Sequence, residues 1–116
     1  MRLGILRDMA YDEGLAERIR LVLGDEPGVS EKKMFGGLAF LVDGNMAVAA
    51  GGDGALMFRR DPGRDDPVGE HIRPQVMGDR VMSGWLHVDA EGVADDEALR
   101  EIVGRGVSFA RTLPPK

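Results

Sequence analysis

A chain of 116 residues with a net charge of −5, 43% hydrophobic and 30% charged residues, has the size and composition of one globular domain, not of a disordered segment. It carries no cysteine, which excludes disulfide frameworks, thiolate metal sites, iron–sulfur clusters and cysteine nucleophiles. No apolar run reaches the roughly 20 residues of a membrane helix, the charged N-terminus does not read as a secretory leader, and the acidic balance counts against nucleic acid as the main partner; the default expectation is a cytoplasmic protein.

Residues 1–8 precede the first helix signal and are expected to form an N-terminal tail, leaving 9–116 as a single domain. Leu15, Ile19, Val22 and Leu23 recur at helical spacing behind Asp12, a good N-cap, and Gly24 with Pro27-Gly28 ends the pattern. Short apolar runs follow at Met34-Phe35, 38–42, 46–50 and 55–59. They are separated by Gly36-Gly37, Asp43-Gly44-Asn45 and Gly51-Gly52-Asp53-Gly54. Asp-Gly between apolar runs signals a hairpin, so this stretch predicts an antiparallel meander of three strands, beginning near Ser30, Leu38 and Ala55. The Gly36-Gly37 pair reads equally as a turn or a bulge. A short helix over Val68 to Ile72, ended by Pro74, is predicted next. Gly84 to Val88 then alternates as a strand, with Val81-Met82 assigned to a neighbouring strand. Asp95, Asp96 and Glu97 open a last helix whose stripe is Leu99, Ile102, Val103, Gly106, Val107 and Ala110, and Pro114-Pro115 stops it. Strands adjacent in sequence, with helices at both ends, predict an α+β fold of two layers, an antiparallel sheet with the N- and C-terminal helices packed on it.

Chemistry-bearing motifs are sparse. The only histidines, His71 and His87, lack metal-ligand spacing; His87 shares a strand face with Trp85 and reads as a solvated strand histidine. Ser108 lies inside the last helix, not on a strand-to-helix turn, so the nucleophile-elbow reading of Gly106 to Ala110 fails. Gly51 to Gly54 leads into another strand and not into a helix, so it reads as a hairpin turn and not a phosphate loop. No catalytic, cofactor-binding or metal residue is assigned, and the expectation is a protein that is not an enzyme. Two basic pairs, Lys32-Lys33 and Arg59-Arg60, are the candidate interaction surface; the competing reading is protection of a strand edge. The methionines and Trp85 are expected in packing roles, Trp85 between sheet and helices.

The run Lys32-Lys33-Met34-Phe35-Gly36-Gly37-Leu38-Ala39-Phe40, then Asp43-Gly44-Asn45-Met46, resembles the N-terminal domain of the TfoX/Sxy competence regulators. Arg59, Met82-Ser83-Gly84-Trp85-Leu86-His87-Val88 and Phe109-Ala110-Arg111-Thr112-Leu113-Pro114 match in the same order, and the resemblance spans Met9 to Lys116. It implies a secretion-chaperone-like α+β fold and a regulatory history alongside a cyclic-AMP-receptor-type transcription factor. The helix-hairpin-helix-like second domain of full-length members has no counterpart in these residues. Within the motif, Met34, Phe35, Gly36, Gly37, Phe40 and Gly44 read mainly as a folding signature. The expected function is a protein-interaction module linked to transcriptional regulation. Its partner would be another protein, with self-association through an open sheet also open. The alternative is a small-molecule binder or enzyme whose pocket, lined by Arg59, Arg80, Trp85 and His87, lies between sheet and helix.

Overall fold

The computed structural model describes residues 12–34, 37–63 and 70–116. Six strands form one sheet: β1 (Val29–Met34), β2 (Gly37–Val42), β3 (Asn45–Ala50), β4 (Leu56–Arg59), β5 (Ile72–Met77) and β6 (Arg80–Val88). Their order across the sheet is β1-β2-β3-β4-β6-β5, and every neighbouring pair is antiparallel. Two helices, α1 (Glu13–Leu23) and α2 (Asp96–Arg111), pack on one face, giving the two-layer α+β architecture. No described helix is long and apolar enough to cross a membrane.

The helices start where the sequence places acidic caps. Asp12 accepts a hydrogen bond from the Leu15 amide at 3.0 Å, and Asp95 accepts one from Ala98 at 3.1 Å. Each cap satisfies a backbone donor that the first helical turn leaves unpaired, worth about 1 kcal/mol. The buried stripe of α2 is Leu99, Ile102, Val103, Gly106, Val107 and Ala110. With Leu15, Ile19 and Leu23 of α1, its apolar members close on alternate strand residues: Leu38, Phe40 and Val42; Val48 and Ala50; Leu56 and Phe58; Leu86 and Val88. This layer is the core.

Two local devices make the close packing possible. Asp43 and Gly44 both take positive φ, 52° and 86°, the pair that a two-residue hairpin of matching twist requires. The β2–β3 register also slips between Phe40 and Leu41, so that Phe40 opposes Val48 while Leu41 opposes Met46, and Ala47 bulges out unpaired. The bulge turns Ala47 as well as Val48 toward the helices. A Cβ on Gly106 of α2 would lie 2.5 Å from the Ala47 carbonyl oxygen, so the helix reaches this backbone only because residue 106 is glycine. The chain after α2 is fastened to the same hairpin: Lys116 donates its amide to the Asp43 carbonyl, and the buried Asn45 donates to the Pro114 carbonyl, both at 2.9 Å.

Several expectations need correction. The meander has four strands, not three, because Asn45–Ala50 is a strand of its own. The helix predicted over Val68 to Ile72 is not formed at its described end: Ile72 opens β5, while Val68 and Gly69 lie outside the described residues. Pro74 ends no helix. It sits in the edge strand β5 opposite Leu86, where a missing N–H is tolerated. Val81-Met82 and Gly84 to Val88 are one continuous strand, β6. The expected tail at residues 1–8, and Phe35 and Gly36 of the motif, lie outside the described residues.

Candidate functional site: the open sheet face

The strand residues between the core positions point away from the helices. The pairings link six of them in one row across the whole sheet: Lys32, Ala39, Ala49, Met57, His87 and Arg73. Its second and third members are alanines, Ala39 fully buried and Ala49 half-buried. Beside them opens a shallow cavity of about 230 Å³, bounded by Met34, Gly37, Ala49, Met57, Gln75, His87 and the Gly51 to Asp53 turn. Gly37 brings its backbone close to β3, since a Cβ there would stand 2.5 Å from the Ala50 carbonyl oxygen. Its walls are two methionines, adaptable and apolar. The Gln75 amide donates to the Val76 carbonyl at 3.2 Å, whereas its Oε1 is buried with no hydrogen-bond partner among the described residues.

Arg59 and Trp85 form the next row, paired across β4 and β6, with the guanidinium carbon 5.2 Å from the centre of the indole. Arg59 Nη1 also donates at 3.2 Å to the Met46 carbonyl, at the edge of the bulge. The side chain thus braces irregular backbone and holds a cation over an aromatic ring. Burial lowers its pKa from the ordinary arginine value, yet a guanidinium remains charged in a protein. At His87, burial first and Arg73 second lower the pKa, against weaker opposing pulls from Asp53 and Asp89, so the neutral ring is favoured.

Charge divides between the two faces. Glu31 is the only carboxylate in any described strand, and it points to the helix side, where Arg20 Nε and Nη2 meet it at 2.7 and 2.9 Å. That pairing holds the Glu31 carboxyl below its usual pKa. On the open face the strands present Lys32, Arg59, Arg73 and His87; Asp53 is the acidic group at the cavity rim, and Asp89, just past β6, lies 3.9 Å from Arg73 Nη1.

The structure separates the four residues of the candidate surface. Lys32 faces the open side, but Lys33 opposes the core residue Leu38 and faces the helix side. Arg59 shares the open face with Lys32, although β2 and β3 stand between their strands, about 14 Å at ordinary strand spacing. Arg60 follows β4, where its amide donates to the Gly84 carbonyl at 2.9 Å. Phe40 is in the core as expected, and Gly44 is in its turn. Trp85 corrects its expectation: it packs under Arg59 on the face opposite the helices. The sheet–helix layer holds the buried core residues, and the cavity described above lies on the other face. Of the residues expected to line one, Arg59, Trp85 and His87 share that face, while Arg80 is exposed at the far end of β6. Met57, Arg73 and Gln75 were missed. The alternation of Ile72, Arg73, Pro74, Gln75 and Val76 was the available signal for the last two, hidden by reading Pro74 as a helix stop.

A family model of the TfoX N-terminal domain matches residues 22–110 of this chain. No curated protein and no solved structure gave a significant match.

Proposed function

The chain belongs to the TfoX N-terminal domain family, and from that premise we propose that it is a non-enzymatic regulatory module that docks another protein on the open face of its sheet. One observation carries this reading: alternate strand residues give that face methionines, a tryptophan and three cations, while the one strand carboxylate is turned to the other side. An acidic segment with apolar side chains fits it, the acids toward Lys32 and Arg73 and the apolar groups on Met34, Met57 and Trp85. Such charge pairing would steer association and weaken with salt. In this reading the protein works in the cytoplasm and its partner is a transcription regulator, as the resemblance to competence regulators implies.

The test is capture from a lysate of the source cell, identification of the retained protein, and affinity measurement with that protein purified. Lys32→Glu/Arg73→Glu should abolish capture, and Lys33→Glu, on the other face, should leave it intact. Equal binding by the double variant would overturn the reading. The buried Gln75 Oε1 at the cavity, without a partner among the described residues, supports a second reading, a small ligand with a hydrogen-bond donor. A thermal-shift hit abolished by Met57→Trp, which fills the cavity, would favour it.

A further inference from the structure

At the end of the sheet away from the β5–β6 turn, β6 runs into a single 3-10 turn, Ala90–Val93, and the chain entering β5 lies beside it. Three potential ligand atoms meet there. His71 Nδ1 is 3.0 Å from Asp89 Oδ1 and 3.9 Å from Glu91 Oε1, and the ligand atoms of all three residues fall within 4.8 Å of one another. Donors held about 2.0–2.1 Å from a tetrahedral ion lie roughly 3.3 Å apart, so the two distances from the imidazole bracket what a shared ion needs.

The backbone fixes this convergence. The Asp89 amide donates to the His71 carbonyl at 3.1 Å, which clamps the two ligand-bearing segments together. Asp89 Oδ1 accepts from the Gly92 amide at 3.2 Å and so orients its carboxylate. Gly92 itself lets the turn close against the histidine, because a Cβ there would lie 2.8 Å from His71 Cβ and 2.7 Å from Val88 Cγ1. Glu91, with 84% of its side chain exposed, has no packing role to hold it, yet its carboxylate lies toward the imidazole.

We propose that His71, Asp89 and Glu91 bind a divalent transition-metal ion such as Zn²⁺. One nitrogen and two carboxylate oxygens suit that class better than Ca²⁺ or Mg²⁺, which favour all-oxygen shells. Ligation takes the Nδ1 lone pair, so the ring proton sits on Nε2 in the bound form. Three protein ligands leave one position for water or for a donor from another molecule. Arg73 Nη1, 3.9 Å from Asp89 Oδ2, is the competing cation; it is exposed enough to turn away as the ion enters. The site does not depend on the protein-docking reading.

The experiment is a calorimetric titration of the full, tag-free chain with ZnCl₂, in a buffer without chelating groups, with MgCl₂ as the comparison. One equivalent of Zn²⁺ should bind, and Mg²⁺ should not displace it. Glu91→Gln, whose exposed side chain makes it safe for the fold, and His71→Gln should each weaken binding more than about tenfold. Arg73→Gln should tighten it, an effect that a purely structural role for the cluster would not produce. Absence of a one-to-one Zn²⁺ complex, or wild-type affinity in both Glu91→Gln and His71→Gln, would overturn the site.

Discussion

The two faces of the sheet are made by alternate residues of the same strands, yet they obey different rules. In β4, Phe58 faces the helices and is almost wholly buried, while its neighbour Met57 faces outward beside His87 and is half-buried. On the helix side, the strand positions at the centre of the sheet are aliphatic or aromatic, and Glu31, at the edge, finds Arg20. On the open side, methionine, alanine and tryptophan alternate with cations, of which Arg73 has Asp89 beside it. The first face is a solution to folding. The second keeps polar groups and soft apolar surface in places where stability alone does not ask for them, which is how a binding surface differs from a core.

That contrast can be broken most directly in β4. Phe58→Ala should cost about 3–5 kcal/mol of stability, through lost burial and a cavity. Met57→Ala, one residue away, should cost about 1 kcal/mol. Urea unfolding of the two variants gives both figures, and equal losses would erase the distinction between the faces. A second pair probes the helix layer. Gly106→Ala pushes a methyl into the Ala47 backbone and should cost about 1–3 kcal/mol. Gly104→Ala, with open space around it, should instead stabilise the exposed side of α2 by up to about 1 kcal/mol.

The smallest effects are in pH. His87 has a lowered folded pKa, so its contribution is complete above about pH 6.5 and is lost as pH falls from there toward the folded value. Glu31 is also lowered, so the stability from its Arg20 pairing is complete above about pH 4.5 and is lost only as pH falls through its folded value, below that. The open face should therefore weaken at higher pH than the helix face. Melting temperatures should show His87→Gln flattening the limb just below pH 6.5, and Glu31→Gln flattening only the more acidic one.

The sequence was most legible where one physical signal dominated. Asp12 and Asp95 preceded clear helical stripes, and Asp43-Gly44 could hardly be anything but a tight turn. The apolar run 38–42 marked β2 as a strand, but being apolar on both parities it did not say which of its residues face the helices. Pro74 was misread because a proline ends a helix and also suits an edge strand, and only the pairing with β6 decides between them. The place of Trp85 was illegible for a related reason: a strand has two apolar-tolerant faces, and parity alone does not say which one the helices cover. Lys32 and Lys33 parted because adjacent strand residues must. The convergence of His71 with Asp89 and Glu91 joins segments 18 residues apart through a backbone clamp, and no local spacing announces it.

The order of the elements along the chain also shapes how the protein is made. The apolar faces of β2 and β3 are closed chiefly by α2, which begins at Asp96. At ordinary translation speeds α2 starts to emerge about 2–9 s after Ala50. Throughout that interval Phe40, Val42 and Val48 belong to a nascent sheet whose main cover has not been synthesised. Slow codons between β4 and α2 would lengthen this exposure and give chaperones, or neighbouring chains on the same message, time to reach those residues.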